Sequence, residues 1–158
     1  MSNKSVTSMS TLYNVALVSV DNLPNDMTVI SDIFGKIAEE KINIDMISQS
    51  PPYNGKLNIS FSMPADNIAK VIALLNTYKK TVPNLRVSID SDSTKISVFG
   101  EAMKETPGVA AMLFKLLAEN DIEVKLITTS EVDISFLIYD KDTDKTTTAL
   151  KKELLQNS

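Results

Sequence analysis

The sequence predicts an α+β protein built from two copies of one βαββαβ unit, and three observations carry that expectation. Residues 33–50 align with residues 113–130 at an offset of 80 positions, with six identical pairs and coincident apolar positions. Asn58-Ile59-Ser60-Phe61 aligns with Asp133-Ile134-Ser135-Phe136 at an offset of 75, so the loop between the matched blocks is five residues longer in the first copy. Within each copy, hydrophobic residues switch between the short period of strands and the longer period of helices.

In the first copy, residues 15–20 are a β-rich run. Val29, Ile30, Ile33, Phe34 and Ile37 then recur at helical spacing up to Glu40. Residues 42–48 are β-branched again. Pro51-Pro52-Tyr53-Asn54-Gly55 is a turn cluster, and residues 57–63 read as the second arm of a hairpin. Ile68, Val71, Ile72, Leu74 and Leu75 form a second amphipathic helix and residues 85–89 a fourth strand, which is the ferredoxin-like order. Asp90-Ser91-Asp92-Ser93 reads as a polar turn linking the copies.

The second copy offers a strand at 95–100, a helix at 108–119, strands at 122–128 and 132–139, and a helix at 146–155. Its fourth strand is missing, which would leave an open sheet edge. Ser5-Val6-Thr7-Ser8-Met9, a β-prone segment with no other place, is expected to fill that gap. The expected domains are therefore residues 13–91, and residues 1–12 joined with 92–158.

The chain has 158 residues, 43% of them hydrophobic and 23% charged, and can bury roughly 68–70% of its unfolded surface without staples. It contains no Cys and no His. That removes thiol and imidazole catalysis, thiolate or imidazole metal sites and disulfides. Net charge is −4, and the Lys and Arg residues are scattered, so no nucleic-acid partner is expected. No apolar run approaches a membrane span or a signal core, so a cytoplasmic protein without a membrane partner is expected.

Asp140-Lys141-Asp142-Thr143-Asp144 imitates the opening of a calcium loop. Lys145 and Lys151 then stand where the loop needs Gly and Glu, so an acidic turn before a helix is expected and no metal. The seven Met and Phe34, Phe61, Phe99, Phe114 and Phe136 are expected in the core. No cofactor is implied, and no carboxylate or lysine pair suggests catalysis.

Several motifs converge on one family. Ile42-Asn43-Ile44-Asp45-Met46-Ile47 with Gln49 in the first copy, and Pro107-Gly108-Val109-Ala110 with Thr129-Ser130-Glu131-Val132 and Ile134-Ser135 in the second, resemble the paired ACT regulatory domains of bacterial aspartokinase. The match covers nearly the whole chain. Lys4-Ser5-Val6-Thr7-Ser8 resembles the linker through which that family's kinase domain enters its regulatory half, whereas the family's Lys-Phe-Gly-Gly-Thr-Ser start and glycine-rich loops are absent. The resemblance implies a non-catalytic module of two ferredoxin-like ACT units that binds lysine or threonine for feedback control. It also implies a homodimer and a partnership with an aspartokinase catalytic domain or subunit. The alternative is a free-standing ACT protein that only holds subunits together.

The loops that precede the first helix of each copy end at unpaired helix N–H groups, which attract the carboxylate of an amino acid. With the resemblance, the effector-binding set becomes Asn25, Asp26, Met27, Thr28, Asn43, Ile44, Asp45 and Gln49 in the first copy. In the second copy it is Thr106, Gly108, Val109, Glu123, Val124, Ser130 and Glu131. In ACT pairs the second strand of a neighbouring copy supplies part of such a site, here Asn43, Ile44, Asp45 and Gln49. Asp26 equally reads as a helix cap, and Asp45 and Gln49 as solvated strand positions. The first copy lacks the Pro-Gly before its helix, having Met27-Thr28 at the aligned positions. In the second copy Lys125 stands where an acid is common and would repel a lysine ligand's ammonium, so the effector is expected mainly at the first copy's residues.

Overall fold

The computed structural model describes residues 5–155, so Lys4 and the outermost residues of the expected second domain lie outside the described residues. Residues Asn14–Asp92 form one compact unit. A second is built from chain on both sides of it, up to Tyr13 and from Ser93 onward. Each is an α+β ferredoxin-like unit, and the N-terminal strand completes the second.

The elements of the inner unit are strands β1 (Ser8–Pro24), β2 (Ile47–Gln49), β3 (Lys56–Pro64) and β4 (Arg86–Phe99), with helices α1 (Met27–Glu39) and α2 (Ile68–Tyr78). Its sheet order is β2-β3-β1-β4. β1 and β3 run antiparallel from Val15 opposite Pro64 to Pro24 opposite Lys56. Ile30, Ile33 and Ile37 on α1 and Val71, Leu75 and Tyr78 on α2 recur at helical spacing, and bury against Val18, Val20, Ile59, Phe61 and Met63 of the sheet.

The outer unit adds α3 (Val109–Glu119), β5 (Val124–Thr129), β6 (Asp133–Tyr139) and α4 (Thr143–Leu150), which continues as a π-helical turn, Lys151–Leu155. Its order is β1-β4-β6-β5, with β4 antiparallel to β6 from Ser93 opposite Tyr139 to Phe99 opposite Asp133. Val109, Leu113, Leu116 and Leu117 of α3 meet Ile96, Val98, Ile134, Phe136 and Ile138, and Val6 joins this core.

The structure corrects several local expectations. Residues 90–93 are not a turn but lie inside β4, and the N-terminal strand runs unbroken into the first strand of the inner unit as β1. Asn14 (φ 58) and Asp92 (φ 56) adopt the left-handed region where β1 and β4 leave one unit for the other, so no separate linker turn is needed. Asn and Asp are the non-glycine residues that tolerate that conformation best.

Residues 42–46 are not regular strand, because Asp45 N–H donates to Ser62 O (3.1 Å) while Ser62 N–H donates to Met46 O (2.9 Å). Two residues thus face one, as in a bulge. Three side chains expected inside are outside. Phe99 (37% exposed) alternates with the core residue Val98, Phe114 (50%) sits beside the Leu113–Leu117 stripe, and Met27 (68%) precedes the first buried residue of α1.

Candidate functional site

At the end of the inner unit where β1 runs into α1, Asp26 has an extended backbone and caps the helix. Its Oδ1 accepts from Thr28 N–H at 2.9 Å. The preceding residue is tied down as well, since Asn25 N–H donates to Gly55 O at 2.9 Å. Gly55 belongs to the β2–β3 hairpin tip, closed by reciprocal bonds between Tyr53 and Lys56 (2.8 and 3.0 Å). Asn54 (φ 49) and Gly55 (φ 73) supply the two positive φ angles that such a tight turn requires. Gln49 ends β2 close to this tip, where Ser50 and Asn58 exchange two 2.9 Å bonds. Asn25, Asp26, Met27, Thr28 and Gln49 therefore gather at one end of the unit, all of them exposed.

The outer unit repeats the arrangement with different chemistry. Gly108, at φ 94, precedes α3, and no side chain caps that helix. A side chain there would meet nothing within 4 Å, so the helix start faces open space. Thr106 is fixed to the short 3-10 turn before it, its hydroxyl donating to Ala102 O at 2.8 Å. The β5–β6 tip closes through Ser130 N–H to Asp133 O (2.9 Å), and is tied to the loop by Gly100 N–H donating to Val132 O (2.9 Å). Thr106, Gly108, Val109, Ser130 and Glu131 thus share one end.

The remaining candidates lie elsewhere. α1 and α3 both stop in the same capped geometry. Lys41 N–H reaches Ala38 O (2.9 Å) and Ile42 N–H reaches Ile37 O (3.4 Å), and Asp121 and Ile122 repeat the pair at 3.1 and 2.9 Å. The left-handed residue this motif demands is Lys41 (φ 57) in one copy and Asp121 (φ 54) in the other. Asn43, Ile44 and Asp45, like Glu123 and Val124, follow directly, at the far end of their helices. A helix of 13 residues, the length of α1, spans about 20 Å. One unit does not bring its own two groups together.

The strand irregularity beside these residues is also duplicated. The β5 register shifts between Val124 and Leu126, leaving Lys125 as the extra residue at the position aligned with Asp45. Lys125 Nζ donates to Ser93 Oγ (2.8 Å) and lies 4.0 Å from the centre of the Tyr139 ring.

An ionic brace joins α1 and α2, in which the Tyr78 hydroxyl donates to Asp32 Oδ2 (2.6 Å) and Lys36 Nζ lies 3.3 Å from the same oxygen. The Tyr78 hydrogen bond, then Lys36, holds the Asp32 carboxyl below its usual range. Burial, then the Asp32 bond, pushes the Tyr78 phenol up. What sequence reasoning did miss is the tie of each hairpin tip to the loop before the helix, through Gly55 and through Gly100. The turn residues were legible, but their long-range partners were not. Among the described residues no group of three or more acidic side chains could hold a metal, and no helix is long and apolar enough to cross a membrane.

Comparison with known proteins agrees with this fold. The ACT domain family matches residues 96–154. The aspartokinase of Bacillus sp. (strain MGA3) is 35% identical over 136 residues, 86% of this chain and 33% of that protein. The crystal structure of aspartokinase alpha and beta subunits contains a chain 31% identical, with a TM-score of 0.83 over 94% of this chain and 97% of that one. The chain belongs to the ACT regulatory domains of aspartokinases.

The regulatory subunit of aspartate kinase from Thermus thermophilus, in its ligand-free form, shares this regulatory-domain fold at TM-score 0.84 and 23% identity, over 94% of this chain and 98% of that one. So does E. coli aspartokinase III in complex with lysine and aspartate, at TM-score 0.75 and 16% identity, over 96% of this chain and 34% of that one. The chain spans about a third of the length of the aspartokinases it matches.

Proposed function

We propose that this ACT pair senses lysine or threonine and relays its occupancy to an aspartokinase catalytic domain or subunit. The observation that carries the reading is the repeated end of each unit, where a helix start, the loop before it and a tied hairpin tip converge. A helix start offers N–H groups and a positive dipole end to a carboxylate, and loop carbonyls accept from an ammonium. The two starts are not equivalent. Asp26 already places a carboxylate on α1, whereas α3 has no side-chain cap and Gly108 leaves its approach open. The ligand carboxylate is therefore assigned to α3, with Thr106, Gly108 and Val109 around it and Ser130 and Glu131 on the neighbouring tip.

Residues 43–45 and 123–124 stand at the far ends of their own helices, so they take part only where another unit supplies them, a role we assign to a second copy of the chain. That requirement makes a homodimer part of the proposal. Asp45 is the acid suited to a lysine side chain's ammonium, and E. coli aspartokinase III forms a complex with lysine and aspartate. Binding across such an interface gives the ligand different contacts in different arrangements, and this differential affinity shifts an equilibrium felt by a kinase.

The test is calorimetric titration of the purified chain with lysine and then threonine, on samples whose mass is fixed by light scattering. Saturable heat from either supports the sensor and names its ligand. Silence from both on a folded dimer overturns it in favour of an assembly module without an effector.

A further inference from the structure

We propose that residues 5–7 form a strap whose docking is coupled to the β5–β6 tip through a single peptide group, the one joining Phe99 to Gly100. The inference rests on the reading above, in which that tip belongs to the effector end. The carbonyl of this peptide group, Phe99 O, accepts from Thr7 N–H at 2.8 Å and from the Thr7 hydroxyl at 3.3 Å. Its N–H, on Gly100, donates to Val132 O at 2.9 Å. Strap and tip thus hold the two ends of one planar unit, which turns as a rigid body because its C–N bond does not rotate.

Close packing adds to the hydrogen bonds. A Cβ on Gly100 would lie 1.5 Å from Ser5 O and 2.6 Å from Ser5 C, so the strap occupies the space a side chain would need. The Gly100 backbone is extended at φ −172, which any residue adopts, so the glycine is required for room and not for conformation. Val6, 5% exposed in the outer core, anchors the strap from its other side. A ligand that moves residues 130–132 tilts this peptide plane and withdraws the strap's acceptor. Releasing the strap likewise frees the tip.

Hydrogen exchange followed residue by residue on the whole chain tests the coupling without any effector. Gly100→Ala displaces the strap by collision, and Val6→Ala loosens it from the other side should the first variant fail to fold. Exchange at Thr7 is expected to accelerate about tenfold, the factor for losing roughly one net hydrogen bond. The Gly100 and Ser130 amides are expected to accelerate with it, while Ile42, in the inner unit, keeps its rate. Acceleration at Thr7 with unchanged rates at Gly100 and Ser130 in Val6→Ala overturns the coupling. Titration with lysine and threonine judges the effector reading separately, so the two failures are distinguishable.

Discussion

Replacing Asp26 with Ala separates two roles that one carboxylate at a helix start does not fill together. In the structure its Oδ1 accepts from Thr28 N–H at 2.9 Å, so removing it exposes an unpaired donor and takes a negative charge from the positive end of α1. Loss of an N-cap costs about 1 kcal/mol and loss of the charge about 0.3–1 kcal/mol, so about 1–2 kcal/mol in all. For a chain of this size that lowers the thermal midpoint by roughly 3–6 °C. Asp26→Ser keeps an accepting oxygen without the charge, so it should lose only the charge contribution of about 0.3–1 kcal/mol. Thermal melts and calorimetry on the same samples decide the matter. If Asp26→Ala melts like the parent chain but no longer binds an amino acid that the parent binds, Asp26 holds the ligand and the assignment of the carboxylate to α3 is wrong.

Three further outcomes are expected. Lys41→Gly should stabilise the chain by up to about 1 kcal/mol in urea titration, because the left-handed Lys41 (φ 57) pays a steric cost that glycine avoids. Phe34→Ala should cost about 3 kcal/mol and Phe114→Ala under about 1 kcal/mol. Although aligned, the first stands edge-on to the buried Phe61 at 5.5 Å and the second is half exposed. The brace between α1 and α2 should make stability fall at both extremes of pH. Asp32, lowered from 3.8, contributes above that value and loses its contribution as pH falls through its folded pKa. Tyr78 and Lys36, raised from 10.0 and 10.5, contribute fully below about pH 10 and lose it as pH rises. Tyr78→Phe should flatten both limbs of a urea-midpoint profile, and identical profiles would dismiss the brace.

The repeat made the fold legible before any coordinates, because residues 33–50 and 113–130 share a hydrophobic pattern that only one kind of unit satisfies twice. The missing strand was legible for the same reason, since an unpaired edge in one copy and an unassigned β-prone segment at Ser5-Val6-Thr7-Ser8-Met9 answer each other, although the strand itself begins only at Ser8. Local propensity misled at residues 90–93, where Asp and Ser suggest a turn. The place of β4 between β1 and β6 in the sheet overrides that preference, and one left-handed Asp92 suffices. It misled again at residues 42–46, whose β-branched run is broken by two residues bonding to Ser62. At the candidate site the helix starts and turn clusters could be read. The Asp26 cap, a contact over two residues, could be read as well, whereas which peptide ties a tip to a loop depends on contacts across tens of residues that no spacing encodes.

The continuity of β1 has a consequence for how the chain is made. Synthesis at ~5–20 residues per second delivers residues 8–13 first and their β4 neighbours only after the whole inner unit, several seconds later. The inner unit, contiguous in sequence, can close as soon as it is complete. The outer unit must hold a strand in reserve throughout, with Leu12 and Tyr13 still more than half exposed when folding is finished. A circular permutant opened between Tyr13 and Asn14 would deliver that strand last, and would show whether early delivery or late capture limits maturation.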